Sequence, residues 1–343
     1  MKKIYLTLIL IGTMCLSSFS QSLDIDQLLE GGVQNANALL DGYLEPAFAG
    51  FGYALNSGWY NTGKPHKLLG FDLTVGVNMA QVPNSATYFK FNPDAYTDVA
   101  LGRPENYSKS DIAKDLFDNN KLPTMFGPHL DPDDQPYLIF NASSDNPTKI
   151  SAPQGTGIDE VIPFLAVPAP YAQLGIGLIK NTELKLRLLP KQSFDGSSIQ
   201  MFGIGVMHDV KQWIPGIKNL PFDLSGFIGY NSLETVAAID EAAGQSAVFN
   251  VKGTTVQGII SKKLAILTVY GGLGVTTSKT EFKMLGTYEQ LPDNPDPISI
   301  TSNNGGMRAN IGARLKLLIL TFSAEYALQE YNTLTAGVGI SIR

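Results

Sequence analysis

The sequence predicts an all-β chain, a closed antiparallel transmembrane β-barrel of about 12 strands with an N-terminal helical segment and one long extracellular insert. Three observations carry that expectation. From Phe48 to the C-terminus, segments of about ten residues alternate apolar and polar or small side chains, the period of a strand with two unlike faces. The mean hydropathy of +0.02 excludes a bundle of membrane helices, yet it is the average that such alternation produces. The chain opens with MKKIYLTLILIGTMCLSSFSQS, two lysines, an apolar run and small residues ahead of Gln21, which is the layout of a cleaved secretory signal over residues 1–20.

That apolar run is too short for a transmembrane helix, which needs roughly 20 apolar residues. Cys15, the only cysteine, falls inside it, and Met14 stands where a lipoprotein signal wants a small residue. The mature chain is therefore expected to carry no thiol, which excludes disulfides, thiolate catalysis and cysteine metal sites. A formal charge of -6, only 16% charged residues and no basic stripe argue against nucleic acid as a partner.

Residues 21–45 form the helical segment. Ile25, Leu28, Leu29, Val33, Ala36, Leu39 and Leu40 recur at helical spacing behind Asp24 as a cap, with Gly31 and Gly32 weakening the pattern. The alternatives are a periplasmic packing helix or a plug entering the barrel, with Ile25, Leu28, Leu29, Leu39 and Leu40 as the candidate plug residues. The barrel is expected over 46–343. Its first strand is read at Phe48–Tyr60, where Phe51, Tyr53, Leu55 and Trp59 alternate with Gly50, Gly52, Ala54 and Gly58, and its second at Lys67–Met79. ATYFKF after the turn VPNS supplies a short third strand.

Nine more strands follow from Tyr171 onward, of which the clearest are Ala172–Leu178, Glu183–Leu188, Phe222–Tyr230, Leu267–Thr276, Met307–Leu317, Leu318–Leu328 and Asn332–Ile342. With a periplasmic C-terminus, the stretches at 284–305 and 234–245 fall outside and those at 181, 261 and 316 on the short-turn side. A hairpin at 137–141 and 161–167 would raise the number to about 14. Residues 92–170 hold 11 of the 20 prolines and read as an external excursion, since Pro forbids central strand pairing; SKSDIAKDLFDNN within it reads as a short helix.

Alternation assigns the faces. Lipid tails cover the apolar face, and Asp72, Glu183, Lys185, Arg187, Asp223, Arg308, Arg314, Lys316 and Glu325 line the lumen, either as an ion-pair network filling a small barrel or as a charged ring that selects solutes. A one-residue slip would put Arg308 and Arg314 in hydrocarbon at about 2–4 kcal/mol each. Trp59, Tyr60, Trp213 and tyrosines near strand ends are expected in the interfacial girdle. No metal or cofactor is expected. LDPDDQP, with Asp131, Asp133 and Asp134, lacks the Gly and distal Glu of a calcium loop. Of His66, His129 and His208, the last adjoins Asp209, but adjacent strand residues face opposite ways, so no enzyme is expected.

The stretches EPAFAGFGYALNSGWYNTGKPHKLLGFDLTVGVNMAQVP, HDVKQWIPGIKNLPFDLSGFIGY and EYNTLTAGVGISIR resemble an uncharacterised family of Bacteroidota outer-membrane barrels, with His208, Trp213, Pro215 and Gly216 in its most specific part. More distantly the layout is similar to the long-chain fatty-acid transporter barrels, whose ligand-gripping residues have no counterparts here. Arg343 departs from the terminal aromatic of proteobacterial barrels. The resemblance implies a cell outer membrane location, contact with membrane lipid and with the barrel-assembly machinery, and passage of a small or amphipathic solute as channel or transporter. The alternative is a barrel that transports nothing and serves as a secretion or assembly accessory or a surface-binding protein.

Overall fold

The computed structural model describes residues 25–104, 111–131, 134–156, 165–289 and 291–342. The expected signal with Cys15, the Asp24 cap and Asp133 lie outside them. The wall is a closed ring of ten antiparallel strands: β1 (Phe71–Gln81), β7 (Ala166–Leu178), β8 (Thr182–Phe194), β9 (Ser197–Asp209), β10 (Asp223–Asp240), β11 (Gln245–Leu264), β12 (Leu267–Leu285), β13 (Ile298–Leu317), β14 (Leu320–Leu328) and β15 (Thr333–Ile342). Sequential neighbours pair, and β1 closes the ring between β15 (Phe71↔Ile342) and β7 (Phe71↔Ile176). Turns at 179–181, 265–266 and 318–319, the 210–222 loop and Ile342 share one end, the base. The turns at 195–196, 241–244 and 329–332, the 286–297 loop and the insert share the other, the mouth.

The ring has ten strands where about 12 were expected, for two local reasons. Phe48–Tyr60 is no strand. Helix α2 (Val33–Leu55), which follows α1 (Ile25–Glu30), runs straight through it, and the remainder is irregular. Large residues at 48, 51 and 55 satisfy a helical period as well as Phe51, Tyr53 and Leu55 satisfy a strand period, and the small residues between them let a helix approach a wall closely. A Cβ on Gly50 would overlap Val167 of β7, and one on Gly52 would overlap Ser278 of β12. The helix also tolerates Pro46 in its interior.

The ATYFKF segment leaves the ring as well. It gives β2 (Tyr88–Lys90), which pairs β4 (Lys121–Pro123) in the insert, and the suspected 137–141 hairpin strand is β5 (Tyr137–Phe140), held between β3 (Val99–Gly102) and β6 (Thr148–Ser151). The expected short helix is α3 (Asp111–Asp118). The insert therefore spans 82–165 rather than 92–170, because β7 begins at Ala166 and pairs β1 straight through Pro168 and Pro170. Those prolines are tolerated because the donors they lack point away from β1, as shown below.

Outside, the wall carries an exposed apolar belt. Val75, Ile228, Val256, Leu273, Ile311, Phe322 and Val338 all face outward, and their inward neighbours Thr74, Thr255, Asn310 and Thr321 are buried. No helix among the described residues is long and apolar enough to cross a membrane; the apolar residues of α2 are turned into the barrel. If the belt sits in hydrocarbon, Leu273→Arg is expected to cost about 2–4 kcal/mol in urea titrations of folding into lipid vesicles. A cost close to zero would show that this face meets water.

Candidate functional site

The first strand's missing residues turn up inside the barrel. α2 enters at the mouth, where Asn35 grips the insert by donating to the Thr97 carbonyl (3.0 Å) and accepting from its N–H (2.7 Å), while Asn37 donates to the Pro297 carbonyl of the 286–297 loop (3.0 Å) and accepts from the Ser299 N–H of β13 (2.9 Å). Its apolar face fills the upper lumen. Leu39, Leu40, Leu44, Phe48 and Leu55 are buried in one cluster with Met201, Leu233, Phe249, Val251, Met284 and Ile298 of the wall and with Leu122 and Met125 of the insert. Phe51 meets Phe249 edge-on at 5.2 Å, and Tyr53 stacks on Tyr331 at 5.6 Å while donating to Glu330 (2.9 Å).

A helix end leaves carbonyls without intrahelical partners, and here the wall supplies partners. Arg187 of β8 donates through Nη1 to the Leu55 carbonyl (2.9 Å) and through Nη2 to the Ser57 carbonyl (2.8 Å), and Asn231 of β10 also donates to Leu55 (2.9 Å). The guanidinium is held in plane by Gln173 (3.0 Å from Nε) and sandwiched between the rings of Trp59 at 4.0 Å and Tyr171 at 4.5 Å. Its positive charge lies at the negative end of the helix dipole. Arg308 of β13 bridges the same turn to the wall, donating to Ser57 Oγ (2.6 Å) and to Glu325 (2.6 Å).

Below the helix an extended strap, residues 56–69, continues to the base. The Tyr60 hydroxyl lies 2.8 Å from Asn310 Oδ1, Ser225 donates to the Gly63 carbonyl (2.7 Å), and Lys64 reaches Asp223 at 3.9 Å. At the base, Glu183 accepts from the His66 backbone N–H (2.8 Å), faces the ring Nδ1 at 2.8 Å and pairs with Lys185. The other ring nitrogen lies 3.2 Å from Ser341 Oγ, and Asp72 stands 3.8 Å from Nδ1.

Each residue assigned to the lumen by alternation is placed by this arrangement. Asp72, Glu183, Lys185, Arg187, Arg308, Arg314 and Glu325 are buried inside. Asp223 and Lys316 are part-buried near the base, Lys316 donating to the Ser341 carbonyl (2.8 Å). Arg308 meets Glu325 and Lys185 meets Glu183, whereas Arg187 serves backbone carbonyls and rings. Of the candidate plug residues, Leu28, Leu29, Leu39 and Leu40 are buried near the mouth, and Ile25 begins α1. The lower lumen is filled instead by Trp59, Tyr60 and His66, none of which was assigned there. Trp59 and Tyr60 are a correction to the expected girdle, since they are 1% and 5% exposed and pack with Phe227, Ile259 and Tyr270 in the lumen. The turn pairs NSG, NTG and GKP around them were the available signal that no strand runs there.

Among the described residues, His66, Asp72 and Glu183 are the one acidic and histidine group close enough to ligate an ion, but Lys185 already occupies Glu183. Ser341, His66 and Glu183 also stand in the order of a nucleophile, base and acid. Ser341 is fully buried beneath the strap, so in this conformation the three pin His66 to the wall. At the base, His208 lies 2.9 Å from Thr182 Oγ1 and accepts from Trp213 Nε1 (2.9 Å), not from Asp209; Trp213, Pro215 and Gly216 are exposed in the 210–222 loop, with Gly216 at φ +89°. His129 is exposed in the insert.

Removing the Arg187 fork leaves the Leu55 carbonyl to Asn231 (2.9 Å) and the Ser57 carbonyl to Asn78 (3.2 Å), and empties the space between Trp59 and Tyr171. Arg187→Ala is expected to cost about 2–5 kcal/mol of stability through the cavity left and the hydrogen bonds lost, and Arg187→Lys is expected to recover only part, because an ammonium lacks the planar fork; heat-modifiable gel migration reads both. Nearer the mouth, burial raises the Glu45 carboxyl above its ordinary range, against hydrogen bonds from Ser302 and Asn304. A raised folded value means stability that is present below the unfolded value and lost as pH rises through the folded one. Glu45→Gln should raise the unfolding temperature at pH 7 and flatten that decline; an unchanged profile would show that the charge is not desolvated.

Comparison with known proteins gives the following. Among curated proteins none matches. Solved structures similar to the chain include the translocator domain of the autotransporter NalP from Neisseria meningitidis (12% identity, 82% of this chain and 91% of that one, TM-score 0.30), Ail, the attachment invasion locus protein of Yersinia pestis (12%, 47% and 93%, 0.26), and the outer membrane channel DcaP of Acinetobacter baumannii (9%, 80% and 96%, 0.15). Scores so low carry no functional argument. Residues 1–342 match the model of a family of unknown function, and the chain belongs to that family, DUF6588.

Proposed function

We propose that the chain is an outer-membrane β-barrel that transports a small or amphipathic solute and is held shut at rest by its own N-terminal segment. The apolar belt around the ring supports the membrane assignment, because among the described residues no protein layer covers it and hydrocarbon covers it without cost. The observation that carries the closed state is the Arg187 clamp. It ties the lumen filler to the wall by hydrogen bonds and ring contacts, which can break and reform, rather than by a continuous strand. Passage then requires the strap to move, and a permanently open pore is not what this lumen supports.

A second reading has one observation in its favour. The insert builds two small sheets over the mouth, which suits a surface-binding barrel whose filler is a fixed strut. The two readings part in planar bilayers. A plug-gated transporter is expected to be mostly closed as wild type and to open frequently once Arg187→Ala and Asn231→Ala loosen the clamp. Oxidised G52C/S278C, which staples α2 to β12, is expected to suppress those openings. Silence of the loosened variant in a folded, heat-modifiable state would favour the strut, and a large steady wild-type conductance would contradict the closed state.

A further inference from the structure

The wall has an unzipped seam. β7 pairs β1 along its length, from Phe71↔Ile176 to Gln81↔Ala166, but it pairs β8 only from Leu178↔Thr182 to Gln173↔Arg187. β8 nevertheless continues to Phe194, paired on its other side with β9. Above Arg187 the two strands run on without a ladder between them.

The sequence dictates where the ladder stops. Gly177 donates to Gly70 (2.8 Å) and Leu165 accepts from Val82 (2.8 Å), so the odd-numbered backbone groups of β7 face β1 and the even-numbered ones face β8. On β8, Asn181 accepts from Asp209 of β9 (3.0 Å), so there the even-numbered groups face β7. Continuing the register would set Ala172 against Leu188, then Pro170 against Pro190, then Pro168 against Gln192. Proline has no N–H, and at the second of these pairs neither side has a donor. β8 shifts register against β9 between Leu189 and Gln192, and the Gln192 side chain satisfies the Pro190 carbonyl (2.9 Å) that would otherwise face the seam.

The seam opens in the apolar belt. Ala172 pairs with exposed Val75, and Leu188, 55% exposed, pairs with exposed Phe202. Unpaired strand edges are costly in hydrocarbon, so an interruption encoded by three prolines at this height is not neutral for a membrane barrel. Directly behind it stand Val167, Ala169, Tyr171 and part-buried Leu189, members of the apolar cluster that surrounds α2. Apolar belt, unladdered seam and buried apolar interior therefore lie side by side, with the Arg187 clamp at the lower rim.

We propose that the β7–β8 seam is a side door through which a single-chain amphiphile passes between the surrounding lipid and the apolar upper lumen. This rests on the membrane and transport readings above and adds the route and the chemical class of the solute. The test uses the full chain with Cys15→Ser in lipid vesicles and a long-chain alkyl amphiphile carrying a diazirine. Photolysis is expected to label Val167, Tyr171 and Leu189. The A172C/L188C disulfide across the seam is expected to cut that labelling several-fold, and reduction to restore it. A variant that restores donors, P170V/P190V, is expected to lower labelling and raise the unfolding temperature, and it keeps the test open if the cysteine pair assembles poorly. Interior labelling unchanged by either closure would overturn the side door and send the amphiphile through the mouth. Absence of interior labelling in the unlocked protein would overturn it as well. Solute-induced swelling of the same vesicles, if it survives the lock, leaves the transport reading standing when the door fails.

Discussion

The carbonyls at the end of α2 need donors, and the rest of the lumen is organised around meeting that need. A helix that stops inside a dry barrel strands its last carbonyls. Water cannot serve them where Trp59, Tyr171 and Phe227 exclude it, so Arg187 and Asn231 reach in from the two strands that flank β9. Arg187 is itself a buried charge, acceptable because it lies at the negative end of a helix dipole, between two aromatic faces, with its guanidinium held by Gln173. Each partner makes the burial of the other affordable, which explains why filler and wall form one body.

That mutual dependence also orders the chain in space. β1 starts at the base, so the segment before it must reach the base from wherever α2 begins. Asn35 and Asn37 place that beginning at the mouth, against the insert and the 286–297 loop. The strap must then descend the whole lumen, and it is held at successive heights by Ser57, Tyr60, Gly63 and His66. The insert, the filler and the wall meet in one apolar cluster, so movement of the strap would be felt at the mouth.

The wall was legible in the sequence wherever one face meets an apolar surrounding and the other a polar one, because that contrast is periodic. β8 to β15 alternate over most of their length, and the inward positions of Glu183, Arg187, Arg308 and Glu325 follow from parity alone. The filler was not legible, because a segment surrounded by wall on every side shows no polar face. Phe48–Leu55 alternates large and small residues for the sake of close approach to Val167 and Ser278, and period two then imitates a strand. Trp59 and Tyr60 misled in the same way: an aromatic pair beside Gly and Asn reads as girdle until Trp59 is seen packed on Phe227 and the Tyr60 hydroxyl bonded to Asn310 and Gln257. Pro168 and Pro170 read in the sequence as marks of a loop, whereas they mark one edge of a strand whose other edge is intact.

The closed lumen is tested most directly at a side chain deep within it. Thr255 on β11 faces inward, is fully buried, and lies where an open channel would be wet. With Cys15 replaced by Ser, the Thr255→Cys barrel in lipid vesicles should stay unmodified by a water-soluble thiol reagent and become reactive when Arg187 is also replaced by Ala. Rapid modification of the first protein, at a rate equal to that of the second, would contradict the account.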